Sequence, residues 1–156
     1  PADLPGFPTF AQYKRIETTY LASLSERKQF KALISQDLFD SIWDVLHGAG
    51  GTALAGTTAQ FRFWVRKMFE LSYPQTAFAQ PHDATPPRQV IVHDSRPVAV
   101  KEQLYEILCY CHGQCGHGGR DKTCGAIRAL YSWVPKELTA QFVKACPTCT
   151  LKRSGN

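Results

Sequence analysis

The feature that most constrains this chain is a set of four side chains in its last third: His112-Gly-Gln-Cys-Gly-His117, a span of helical periodicity, then Cys146-Pro-Thr-Cys149. Two imidazoles and two thiolates in this order suit a tetrahedral zinc site, because Zn²⁺ takes four nitrogen and sulfur ligands and two thiolates neutralise its charge. Four protein ligands leave no coordination position for water, so the expected metal is structural rather than hydrolytic. A Cys-x-x-Cys pair alone also suits a redox dithiol. Such pairs sit at helix N-termini in βαβ settings, whereas this one follows a helical stretch.

Cysteine usage and charge support an intracellular zinc reading. All six cysteines (109, 111, 115, 124, 146 and 149) lie in the final third, whereas a disulfide-stapled secreted domain spreads them along its length. Residues 101–156 carry eight Lys/Arg against four Asp/Glu, while residues 1–100 carry ten against nine. The basic excess therefore sits with the zinc motif, as expected if that region meets a polyanion. No apolar run approaches the roughly 18 to 20 residues needed to cross a bilayer, and the start lacks the order of a signal peptide. The first residue is Pro, which points to a processed chain or an excised fragment.

The expected fold is mostly α. Thr9 is placed to cap a first helix carrying Phe10, Tyr13, Ile16, Tyr20 and Leu24. Ser25 opens a second around Phe30, Leu33 and Ile34, and Ser35 a third carrying Leu38, Ile42, Val45 and Leu46 until Gly48. A Gly-rich loop over 48–56 precedes a basic helix, Gln60 to Phe69, with Arg62, Arg66 and Lys67 and its aromatics at core spacing. Residues 73–88 read as a Pro-rich linker or loop between a helical domain, 1–72, and a second domain, 89–153. Gln89–His93 and Arg96–Val100 read as strands around a turn at Asp94-Ser95, and His93 as an ordinary surface histidine. Three helices follow: Val100–Cys111, delivering His112 at its end; about Arg120–Tyr131; and a last one opened by Pro135 and stopped by Pro147. Cys109 and Cys124 read as buried apolar residues.

The region from Gln89 to Arg153 resembles the His₂Cys₂ zinc-binding domain of retroviral and Ty3/gypsy-type retrotransposon integrases. The residues that carry the resemblance are Gly116-His-Gly-Gly-Arg-Asp-Lys-Thr123, Ile127, Tyr131-Ser-Trp133-Val-Pro135 and Phe142-Val-Lys-Ala-Cys146-Pro-Thr-Cys149. The resemblance implies a helix-turn-helix-like three-helix bundle around one zinc, with His112, His117, Cys146 and Cys149 as its ligands. Cys111 and Cys115 flank the first histidine closely enough to replace it.

An integrase performs strand transfer on a separate carboxylate-bearing domain, and this chain ends seven residues after Cys149. A non-enzyme is therefore expected, without a small-molecule substrate. The His-x-Glu of a zinc deaminase is also absent. The leading expectation is a DNA-binding module of a nuclear regulatory, chromatin or domesticated-retroelement protein. It would contact double-stranded DNA through Arg120, Lys122, Thr123, Arg128, Lys144, Lys152 and Arg153, extended by Arg62, Arg66 and Lys67. The alternative is a protein-interaction or homodimerisation module built on the same zinc bundle.

Overall fold

The computed structural model describes residues 1–48, 54–73 and 88–155. The centre of the Gly-rich loop and all but the two ends of the Pro-rich stretch lie outside them. Helix α1 (Phe10–Ala22) begins at Thr9 with a reciprocal cap: the Thr9 side chain accepts from the Gln12 amide, and the Gln12 side chain accepts from the Thr9 amide. Two orphan donors are thereby satisfied, which fixes the start of the helix. Helix α2 is the short stretch Glu26–Ala32, and α3 (Gln36–Leu46) is capped by the Ser35 hydroxyl on the Leu38 amide. Helix α4 (Ala59–Met68) starts at Thr58.

Leu33 and Ile34 leave the helix that sequence periodicity assigns them. Leu33 is extended, and Ile34 bridges Val100 while its carbonyl accepts from the Lys101 amide at 2.7 Å. Both are buried at the seam, whereas Phe30 faces solvent. Burial and a long-range backbone pairing have overridden the local helical pattern here.

The expected hairpin is present but short: β2 (Val90–His93) pairs with β3 (Arg96–Pro97). Asp94 and Ser95 both take left-handed backbone angles, φ 51° and 64°, as a two-residue type I′ turn requires. Beyond Pro97 the Val98 amide still donates to the Ile91 carbonyl of β2 at 3.1 Å, while Val98 and Ala99 also pair with the loop at Ser132, whose carbonyl accepts from the Ala99 amide at 2.9 Å. A third strand, β1 (Glu70–Ser72), pairs antiparallel with β2, Leu71 opposite Ile91. It lies directly after α4, where the sequence offers only three residues of pattern.

After one 3₁₀ turn at Lys101–Gln103 come α5 (Leu104–Gln114), α6 (Arg120–Arg128), α7 (Lys136–Ala145) and α8 (Pro147–Ser154). Helix α8 extends the expected three-helix bundle. Pro147 does end α7, but it also occupies the first turn of a new helix, where its missing N–H costs nothing. His112 sits inside α5 instead of at its end, and Leu130, beyond α6, is exposed.

Two hydrophobic clusters organise these elements, and each draws on both sides of the Pro-rich stretch. One gathers Tyr13 and Leu33 with Leu104, Leu108, Ile127, Leu138 and Phe142. The other gathers Ile34, Ile42 and Val65 with Ile91 and Val98, bordered by Trp64 and Trp133. Helix α1 thus packs on α7 and shares its core with the C-terminal helices. Trp133 packs on the second cluster and ties it to the end of α2. Its backbone is left-handed (φ 67°), its indole donates to the Lys31 carbonyl at 2.9 Å, and its ring stacks 5.0 Å from both Phe69 and His93. His93 is therefore partly buried and structural, with Nδ1 2.8 Å from the Met68 carbonyl. Among the described residues, no helix is long and apolar enough to cross a membrane.

Candidate metal centre

Four elements deliver the four ligands. Helix α5 carries His112, which is completely buried. The chain then turns through Gly116 (φ 66°) and His117 (φ 56°), and the His117 amide donates back to the His112 carbonyl at 2.9 Å. A left-handed backbone at a residue bearing a Cβ costs about 1 to 2 kcal/mol, and here it swings the second imidazole toward the first. The rings meet edge to face with centroids 4.7 Å apart. Cys146 occupies the junction of α7 and α8, and Cys149 lies in the first turn of α8. The Cys-x-x-Cys pair thus opens a helix as well as following one.

The ligand atoms of His112, His117, Cys146 and Cys149 all lie within 4.8 Å of one another. His112 Nε2 is 3.3 Å from Cys149 Sγ, and His117 Nδ1 is 3.4 Å from Cys146 Sγ. Bond lengths of about 2.05 Å to nitrogen and 2.3 Å to sulfur place the vertices of a tetrahedral zinc site about 3.6 Å apart, so the pocket already has nearly the right span. The residues fit zinc. Among the described residues this is the one group of His, Cys, Asp and Glu close enough together to hold a metal ion.

The surrounding hydrogen bonds set the His112 tautomer. His112 Nδ1 lies 2.9 Å from Thr123 Oγ1, and the Thr123 hydroxyl donates to the Gly118 carbonyl at 3.1 Å. With its proton committed to Gly118, the hydroxyl accepts from Nδ1–H, leaving the Nε2 lone pair free for metal. Thr123 is fully buried. It therefore has no DNA-facing surface, and its expected role as a DNA contact is corrected to that of orienting a ligand. Replacing it with Val keeps the shape and removes the bond; the expected result is zinc affinity lower by roughly 10- to 100-fold, read by chelator competition.

Cys111 and Cys115 do not substitute for His112. Cys111 is buried in the hydrophobic cluster, and Cys115 Sγ donates to the His112 carbonyl at 3.4 Å. Cys109 and Cys124 are buried, as expected from composition.

Burial pushes the His112 pKa down to about 4, reinforced by His117 and Lys152, so its imidazole is neutral at physiological pH. Burial likewise raises the Cys149 thiol, and the neighbouring Cys146 raises it further. Metal binding must then release thiol protons. Acidification acts in the same direction through His112: between its unfolded value near 6.5 and about 4, the unfolded chain holds the extra proton, so stability falls as pH falls. Zinc affinity should therefore drop steeply with decreasing pH, with a slope approaching two protons per metal in a competition titration.

The basic residues separate into four groups. Arg120, Lys122, Lys144 and Arg153 line one open cleft of about 570 Å³ together with Gly118 and Gly119. Arg128 lies at the other end of α6, where its carbonyl accepts from Arg96 at 2.6 Å. Lys152 is spent on the metal loop, donating to the Gly116 carbonyl at 3.1 Å. Arg62, Arg66 and Lys67 sit on α4, with Arg62 donating to both the carbonyl and the hydroxyl of Thr57 at 3.0 Å.

Residues 100–154 match the integrase zinc binding domain family, and the two histidines and two cysteines that fit a zinc ion all lie within that segment. Human Nucleolar protein 4 is 24% identical over 157 residues, covering 88% of this chain and 24% of that protein. The mouse protein of the same name is 24% identical over the same length, with 88% and 32% covered. The chain thus spans between about a quarter and a third of the length of these curated relatives. No solved structure matches.

Proposed function

We propose that this protein is a nuclear, non-catalytic zinc-domain protein that binds duplex DNA through the cleft at the start of α6. The cleft carries the reading. Arg120, Lys122, Lys144 and Arg153 come from three helices onto one surface, with Asp121 as the acid among its lining residues. Arg120 holds that acid through a 3.1 Å pair, which leaves the lysines' charge uncompensated there. Gly119 has open space where a side chain would stand, so a phosphate can approach the backbone of the loop that leads into α6, beside the Lys122 side chain that packs on Gly118. Arg128 and the α4 residues Arg62, Arg66 and Lys67 are further cations for DNA outside the cleft, and Lys152, held on the Gly116 carbonyl, adds its charge beside the metal loop.

Four protein ligands that fill the coordination of zinc support a structural rather than a hydrolytic metal, and with it a non-catalytic role for this domain. The matched family and the nucleolar name of the relatives support the nuclear assignment. The test is fluorescence anisotropy with a labelled duplex across a salt series. With Arg120 paired to Asp121, phosphate contacts by the other three cations give a log–log slope of about −2.7, or roughly a fortyfold loss between about 50 and 200 mM salt. Binding without salt dependence would overturn the reading.

One observation favours a protein partner at the same domain. Tyr110, Leu130 and Leu151, at 57%, 47% and 70% exposure, stand out on the zinc-bearing region. If these residues make the functional contact, light scattering will show a dimer that persists in high salt.

A further inference from the structure

We infer that the N-terminal segment Leu4–Thr9 is part of the metal centre, with Phe7 as the wall that positions the two histidines and shields the ligands from solvent. None of this segment lies within the matched domain, which begins at residue 100. The Phe7 ring lies 4.7 Å from the His117 ring, tilted by 32°, and meets His112 edge-on at 6.2 Å. It reaches this position because residue 113 of α5 is Gly: a Cβ there would stand 3.2 Å from Phe7 Cζ.

The segment is tied at both ends of the site. The Gly6 carbonyl accepts from Thr148 Oγ1 of α8 at 2.8 Å and lies 3.3 Å from Cys146 Sγ. The Pro8 carbonyl accepts from the buried Tyr105 hydroxyl of α5 at 2.7 Å. Asp3 accepts from the Phe10 amide at 2.9 Å, and Thr9 then caps α1. One strap thus touches His112, His117 and Cys146 and bridges α5 to α8.

Two physical consequences follow. The His117 imidazole hangs from a strained left-handed backbone, and the Phe7 ring narrows the rotamers open to it. Losing a zinc ligand to a proton or a competing chelator requires access, and an apolar ring against both imidazoles denies it. Phe7 is a positioning residue for metal retention.

The test uses the full zinc-loaded chain with a chromophoric chelator, reading the rate of zinc release. Phe7→Ala is expected to accelerate release on the order of tenfold, and Phe7→Leu, which keeps apolar bulk without extending past the ring's far end, to restore most of the retention. The cobalt-substituted protein reports the ligand set independently: unchanged thiolate charge-transfer and tetrahedral d–d bands are expected in Phe7→Ala. Altered bands would make Phe7 a determinant of ligation itself and overturn the retention role. Should Phe7→Ala fail to fold, Thr148→Val and Gly113→Ala loosen the strap from the other side. Ala is a better helix former than Gly, so faster release in Gly113→Ala reports displacement of Phe7 and not loss of α5. Wild-type release rates in Phe7→Ala, or in both substitute variants, would overturn the inference.

Discussion

Stripping zinc from this protein is expected to unfold α5 to α8 while leaving part of the α3–α4 region protected. His112 and Cys146 are fully buried and Cys149 nearly so. Around the thiols the core is thin, with Val143 as the apolar residue clustered with Cys146 and Cys149. Structural zinc in comparable peptides contributes roughly 10 to 16 kcal/mol at neutral pH, as much as or more than the roughly 5 to 15 kcal/mol that holds a typical domain folded. Its loss leaves two imidazoles and two thiols facing one another in a low-dielectric pocket, where weak thiol hydrogen bonds replace metal bonds. The second cluster, Ile42, Val65 and Ile91 with their neighbours, contains no metal ligand. Hydrogen exchange during chelation checks this region by region. Protection retained throughout 104–154 after complete zinc removal would show that the apolar core suffices without the metal.

Reversing Lys122 and Lys144 to Glu should abolish most DNA binding without disturbing the zinc. Both lysines are exposed and line the same cleft, one from α6 and one from α7. Each reversal removes one phosphate contact and adds one repulsion, so affinity at low salt should fall on the order of a hundredfold. The measured salt slope should become shallower by about two. Neither residue touches a ligand, so metal content and thermal stability should stay at wild-type values. If the double variant binds duplex DNA normally, the contact surface is elsewhere on the molecule. The exposed α4 cations, Arg66 and Lys67, are then the next to test.

These two experiments address features that differ in how directly the chain declares them. The ligand set is readable because ligand chemistry is tied to residue type and because both members of each pair are near in sequence: His112 with His117, Cys146 with Cys149. Thr9, Ser35 and Asp94-Ser95 are readable for the same reason, since a cap or a tight turn is satisfied by atoms a few residues away. Spacing puts Thr123 on one face of α6 with Ile127 and beside the Gly-rich turn, so its inward direction is partly readable. Its partner, His112, is eleven residues off, and that pairing is not.

Sequence alone thus determined the metal, its donors, most helices and the location of the basic excess, all properties of residue identity and short spacing. Tertiary structure decided what arrives from far along the chain. It pairs β1 with β2 and divides the basic residues between a cleft and a structural tie. It seats α1 on α7 and brings Phe7 against histidines more than a hundred residues away. Such contacts form because burying apolar surface and pairing backbone groups lower the free energy of the whole fold. No local spacing encodes them.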